Sequence, residues 1–227
     1  MYQKMIQKVE NLIAKGKTAV LEHEAKEVLR EMGFSVPKGV YIEKDMAEQI
    51  PAIVDISYPL VAKVSSSKII SKSEVNGVKL GLKNGHELKE AVSELLHIQN
   101  VEGILIEEMA APGIEVIVGG IIDDQFGPVV MFGLGGISVE LFRDVAFALA
   151  PMGKEDALWL VREVKGSKLL RGYRGRPPVD IAVLLEMIVK VSEIISTGLI
   201  QEIDLNPVSL YPEGAIVLDA KISLRYG

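Results

Sequence analysis

Between residues 104 and 132 three apolar runs follow one another with only Gly- and Pro-containing turns between them: Ile104-Leu-Ile-Glu-Glu-Met109, Ile114-Glu-Val-Ile-Val-Gly119 and Pro128-Val-Val-Met-Phe132. These are strands in close succession, separated by Gly and Pro turns. Further strand signals fall at 39–42, 59–64, 77–82, 201–210 and 215–224. Helical periodicity marks 2–15, 22–32, 87–99, 154–165 and 179–197. The first two helices end at Gly16 and Gly33, the usual C-terminal stop residue. This mixed order is neither a βαβ repeat nor all-β. It predicts an α+β chain of two lobes with mainly antiparallel sheets. Gly103 and Pro112 bracket a strand near the expected boundary, dividing the chain into 1–103 and 104–227.

Composition removes several classes of function. A net charge of −6 and an aromatic content of 5% provide neither the basic stripe nor the stacking platforms of a nucleic-acid binder. With no cysteine, the chain has no disulfide, no thiolate nucleophile and no iron–sulfur ligand. No apolar run approaches the roughly 18 residues that span a bilayer. The N-terminus alternates charged and apolar residues without a signal-peptide core, so the expected location is the cytoplasm, with no membrane partner.

Lys63 interrupts the apolar run Pro59-Leu-Val-Ala-Lys-Val64. It is either the solvent-facing residue of a half-buried strand or a phosphate ligand. A lysine serves the latter role as a mobile point charge. The segment that follows, Ser65-Ser-Ser-Lys-Ile-Ile-Ser-Lys-Ser73, brings small hydroxyls, including Ser65 and Ser66, and two more lysines within reach. Such a loop can wrap phosphates or be an ordinary solvated connection.

Asn206 and Asp219 lie on consecutive strands whose turn is centred near 212–213, so hairpin pairing brings them opposite or within one residue of each other. Two such oxygen donors suit magnesium, which takes its other ligands from water and phosphate. Glu107, Glu108 and Met109 end one strand and Glu115 opens the next. Carboxylates there can meet an adenine amino group and ribose hydroxyls, or form a charged sheet edge. Phe132-Gly-Leu-Gly-Gly-Ile-Ser-Val-Glu140 is not the dinucleotide fingerprint, and there is no Walker motif. The basic loop at 171–178 reads as solvated, and the 179–197 helix and Trp159 read as core.

In order, several segments resemble the ATP-grasp subunit of ADP-forming acyl-CoA (acetyl-CoA) synthetases. They are the run from Lys63 to Leu82, Glu107-Glu-Met109, Phe126-Gly-Pro-Val-Val-Met-Phe-Gly-Leu-Gly-Gly136, Leu149-Ala-Pro151, Gly172-Tyr-Arg-Gly175 and Glu202-Ile-Asp-Leu-Asn-Pro207. The match runs from about residue 15 to 224, and succinyl-CoA synthetase is a more distant relative. The resemblance implies an ATP-grasp fold whose lobes enclose a nucleotide cleft. It also implies ATP or ADP with Mg2+, and a partner α subunit that binds CoA and the acyl substrate. By the same resemblance Lys63 holds the nucleotide phosphates, Glu107, Glu108, Met109 and Glu115 frame adenosine, and Asn206 and Asp219 hold magnesium. The 65–78 loop corresponds to a swinging segment that relays the phosphoryl group.

The sequence departs from the pattern at the relay. Ser71 stands where the family has a histidine, Ala148 where it has a basic residue, and Asn76 where glycine is frequent. A serine hydroxyl needs a base to act as nucleophile, and its phosphate ester is too stable to hand on readily. The alternative expectation is therefore a nucleotide-binding regulatory subunit with impaired turnover.

Overall fold

The computed structural model describes residues 2–49, 56–69, 71–136 and 144–225. Ile70 and residues 137–143, the latter including the end of the run through Glu140, lie outside the described residues. Among the described residues all strand pairings are antiparallel and fall into two sheets; the closely joined runs at 104–109 and 114–119 are not partners but lie in different sheets, while 114–119 does pair with the run at 128–132. The chain divides into two compact units.

One unit comprises 21–24 and 37–111. Its four-stranded sheet is built from β2 (Gly39–Glu43), β3 (Leu60–Ser65), β4 (Val78–Leu82) and β5 (Gly103–Glu108), in the order β2-β5-β3-β4. Helix α3 (Gly85–Leu96) starts at Asn84, whose side chain accepts hydrogen bonds from the backbone N–H groups of His86 and Glu87. Its apolar stripe of Leu88, Ala91, Val92 and Leu95 packs against Leu60, Ala62, Val64, Ile104 and Ile106. All six residues of β3 are buried, including Lys63 and Ser65.

The other unit comprises 1–20, 25–36 and 112–227. Its sheet runs β1 (Ala19–Val20), β11 (Ala220–Leu224), β9 (Ile200–Leu210), β6 (Ile114–Asp123), β7 (Gly127–Leu134) and β8 (Val145–Leu149), with β10 (Ala215–Val217) paired to the far end of β9. Helices α4 (Lys154–Glu163) and α5 (Ile181–Ser196) supply Ala157, Leu160, Leu184, Ile188 and Val191 to its core. Asp180 caps α5 by accepting from Val183 N–H, and its second oxygen accepts from Gly214 N–H in the β9–β10 turn.

Three expectations need correction. The N-terminal segment does not belong with residues up to 103. Strand β1 pairs with β11, and helix α1 (Tyr2–Ala14) buries Met5, Val9 and Leu12 in the same core as Leu224. The division falls at 111/112 because β5 is the central partner of β2 and β3. Trp159 is 53% exposed. The buried stripe of α4 runs through Ala157, Leu160 and Val161, and Trp159 falls outside it. The strand expected at 215–224 is broken at Leu218 and Asp219 into β10 and β11. Among the described residues no helix is long and apolar enough to cross a membrane.

Candidate functional site

Lys63 sits mid-strand in β3, where its ammonium meets two carboxylates. One is Glu107 on neighbouring β5, at 2.8 Å, and the other is Glu22 at the start of helix α2 (Glu22–Glu31), also at 2.8 Å. The second oxygen of Glu22 is 2.9 Å from the ammonium of Lys72. Lysine and carboxylate therefore alternate through Lys72, Glu22, Lys63 and Glu107. Of the two readings of Lys63, the solvent-facing strand residue is excluded, since Lys63 is 7% exposed. Glu107, expected near adenosine, is a counter-charge to Lys63. Glu22 was not visible in the sequence reading, because nothing local links it to a lysine 41 positions away.

The segment after β3 is tied down at both ends. Ser66 and Ser67 donate through their hydroxyls, and Ser67 through its N–H, to one carboxylate oxygen of Glu102. Burial pushes the Glu102 carboxyl up, but these donors and the Lys68 ammonium outweigh it and leave it below the ordinary range. The buried Ser65 hydroxyl has no hydrogen-bond partner among the described residues. Gly77 N–H donates to Lys72 O at 2.7 Å, and Val64 N–H donates to Gly77 O at 2.8 Å, closing 72–77 onto β3. Within it Asn76 holds φ 53, a left-handed conformation that asparagine tolerates better than most residues. Ser71 is half-buried beside Lys72. Glu108 accepts from Ser57 N–H, and Met109, 38% exposed, donates its N–H to Pro59 O.

In the other unit, burial alternates along β9. Ile203, Leu205 and Val208 enter the core, and Glu202, Asp204 and Asn206 occupy the opposite face. On β11 the buried residues are Ala220, Ile222 and Leu224. Register pairs Ala220 with Leu205 and Lys221 with Asp204. Asn206 N–H donates to Asp219 O at 3.1 Å, so these two residues are direct neighbours across the hairpin. The outer face thus carries Glu202, Asp204, Asn206, Asp219 and Lys221. Burial, reinforced by Glu202 and Asp219 and opposed by Lys221, pushes the Asp204 carboxyl up to about 6. Among the described residues no three His, Cys, Asp or Glu side chains gather as a metal cage. A carboxylate beside a carboxamide is a hard-oxygen pair, and it fits a magnesium ion whose remaining ligands are phosphate and water. Asp204 was missed because an aspartate in an alternating strand carries no signal until its neighbours are known.

Glu115 opens β6 on the same outer face, one residue before buried Val116. Its carbonyl accepts from Gly135 N–H at 2.7 Å. A Cβ on Gly135 would come within 2.9 Å of the Glu115 Cβ, so the Gly-x-Gly-Gly turn is a close-packing device here. A cavity of about 530 Å3 opens at this point, lined by Glu115, Gly135, Tyr173, Arg174 and Arg176 among others. The Arg174 guanidinium lies over the Tyr173 ring, 5.4 Å from its centroid. The 171–178 loop, read from sequence as merely solvated, therefore shares a cavity with Glu115.

A family model described as an ATP-grasp domain matches residues 11–224. The chain is 42% identical over 230 residues to the β subunit of acetate–CoA ligase [ADP-forming] I of Pyrococcus furiosus, covering 96% of this chain and 99% of that one. It is also 42% identical over 203 residues to acetate–CoA ligase [ADP-forming] II of Archaeoglobus fulgidus, covering 89% of this chain but only 30% of that longer protein. A solved structure of the dinucleotide-forming acetyl-coenzyme A synthetase 1 of Ca. Korarchaeum cryptofilum superposes with a TM-score of 0.81 at 39% identity, covering 97% of this chain and all of that one. That structure holds coenzyme A and Mg-AMPPCP, with its phosphohistidine segment pointing towards the nucleotide-binding site.

Proposed function

The chain belongs to the ATP-grasp family, in the branch of the β subunits of ADP-forming acetyl-CoA synthetases, and on that premise we propose that it binds MgADP and MgATP for phosphoryl exchange with a CoA-binding α partner. The observation that carries this reading is the pairing of Asn206 with Asp219 on a partly buried acidic sheet face. Magnesium held there neutralises charge on nucleotide phosphate oxygens as the phosphoryl group moves.

The chain's own residues would do the rest. Lys63, held in place by Glu22 and Glu107, would bind phosphate oxygens, with Ser65 and Ser66 at the entrance to the adjoining loop. Glu115 would take ribose hydroxyls, with Glu108 and Met109 near the base. The α partner would form the acyl phosphate from acyl-CoA and phosphate with release of CoA, and this chain would deliver the phosphoryl group to ADP, leaving the free carboxylate and ATP.

Ser71 favours a second reading, in which the chain binds nucleotide and regulates its partner without relaying a phosphoryl group. Calorimetric titration of MgADP and MgATP into the chain, beside Lys63→Ala and Asp219→Ala, tests the nucleotide site common to both. Magnesium-dependent binding that both substitutions remove is the expected result. Absence of binding in the parent chain would overturn the assignment.

A further inference from the structure

Helix α2 carries a lysine, Lys26, that is 1% exposed and heads the fully buried side chains by volume. An ammonium withdrawn from water this completely persists only where polar partners replace its hydration. Lys26 Nζ donates to the carbonyl oxygen of Leu218 at 2.7 Å, across 192 positions of sequence.

Leu218 and Asp219 are the two residues at which the strand facing β9 is interrupted. Two further backbone groups of these residues are committed to β9. Leu218 N–H donates to Pro207 O at 2.9 Å, and Asp219 O accepts from Asn206 N–H at 3.1 Å. In a regular strand a residue's N–H and carbonyl face the same neighbour, whereas here the Leu218 N–H goes to β9 and its carbonyl meets Lys26. Lys26 thereby holds the Leu218–Asp219 peptide plane, and β9 holds the peptides on either side of it. The direction in which Asp219 leaves the backbone follows from that plane. The acidic face it joins, with Glu202 and Asp204, lies across the sheet from the core.

We propose that Lys26 is a positioning residue for the divalent metal, fixing the Leu218–Asp219 peptide so that the Asp219 carboxylate faces Asn206. The inference rests on the assignment of Asn206 and Asp219 as the metal ligands. Residues one step behind a metal ligand set its orientation, and losing one weakens metal binding by about 10- to 100-fold.

The test uses Mn2+ as the probe, titrated by electron paramagnetic resonance at saturating ADP, with ADP binding in chelator measured separately by calorimetry. Lys26→Met keeps the length of the side chain and removes both charge and donor. It is expected to weaken Mn2+ binding by about tenfold or more while metal-free ADP binding stays within about twofold. Lys26→Gln, which keeps a donor, is expected to lose less. A folded Lys26→Met chain with parental Mn2+ affinity would overturn the proposal. Asp219→Ala separates the two levels: if it leaves Mn2+ affinity intact, the ligand assignment itself fails. In the parent chain the 15Nζ resonance of Lys26 is expected to shift when Mg2+ is added to the ADP complex. Metal binding without that shift would overturn the proposal even if neither variant folds.

Discussion

The ammonium of Lys63 and a carboxylate oxygen of Glu107 stand 2.8 Å apart on adjacent strands, with their side chains 9% and 2% exposed. Glu22 approaches the same ammonium at the same distance, 4% exposed. A buried pair of this kind adds little over an apolar replacement, but breaking it from one side leaves a charge without compensation. Lys63→Met removes the cation shared by Glu22 and Glu107, and is expected to lower the unfolding free energy by about 3–5 kcal/mol in urea titration. An unchanged midpoint would show that water already reaches the cluster.

The same geometry bears on ligand affinity. Phosphate oxygens arriving at Lys63 meet an ammonium already shared between two carboxylates, one of which also holds Lys72. Glu22→Gln removes one negative charge from beside the phosphate position and loosens both lysines. MgADP binding is expected to tighten by roughly three- to tenfold. Weaker binding would mean that Glu22 orients Lys63 more than it competes with phosphate.

Asp204 gives a pH dependence with a definite sign. Its carboxyl titrates at about 6 in the folded chain against an ordinary value of 3.8. Between those values the native state binds more protons than the unfolded one, so the contribution of Asp204 to stability is full below pH 3.8 and is lost as pH rises through 6. Asp204→Asn is therefore expected to stabilise the metal-free chain at pH 7.5, by an amount on the order of 2 kcal/mol, with the gain shrinking towards pH 4.5. Urea unfolding of both chains in chelator at the two pH values measures this. A gain that is equal at both would assign the effect to something other than the proton.

What could be read from the sequence was whatever short-range rules control. The Asn206–Asp219 pairing followed from a hairpin and its turn, and Asn206 N–H does donate to Asp219 O. The antiparallel pairing of the 114–119 and 128–132 runs followed from their short connection, whereas the equally short link from 104–109 to 114–119 crosses between sheets. Glu22, Lys26 and the 171–178 loop could not be read this way, because their partners lie far off in sequence and are fixed by packing alone. Lys63 shows both sides: its position in an apolar strand marked it as unusual, but only the fold reveals the two carboxylates that keep it there. Trp159 failed for a different reason, since a ten-residue helix has a narrow buried stripe and one step of phase moves a side chain out of it.

Gly135 links the glycine-rich turn to Glu115. Its N–H donates to the Glu115 carbonyl at 2.7 Å, and an added Cβ would stand 2.9 Å from the Glu115 Cβ and 3.0 Å from its carbonyl carbon. Backbone cannot yield as a flexible side chain does, so Gly135→Ala displaces the start of β6. A loss of about 1–3 kcal/mol in stability is expected, with weaker MgADP binding measured calorimetrically. Gly153, whose added Cβ would meet only the Asp156 carboxylate at 3.8 Å, serves as the control substitution. Parental affinity in a folded Gly135→Ala chain would detach Glu115 from nucleotide binding.

Ser71 decides between the two functional readings. It lies next to Lys72, whose ammonium is 2.9 Å from Glu22, so the residue at the relay position is tethered close to the Lys63 cluster. A serine hydroxyl without a base is a weak nucleophile at neutral pH, whereas a neutral imidazole nitrogen attacks phosphorus directly and forms a bond labile enough to be reversed. On incubation with γ-labelled MgATP, the parent chain is expected to take up no label. Ser71→His is expected to form an acid-labile, base-stable phosphoryl bond, with one ADP released for each phosphoryl group gained. Added MgADP should strip that label as ATP. Stoichiometric labelling of the parent would make Ser71 a working acceptor and remove the ground for a regulatory role. If Ser71→His binds MgATP but stays unlabelled, the nucleotide site does not deliver its γ-phosphate to this segment, and the relay reading fails for the chain.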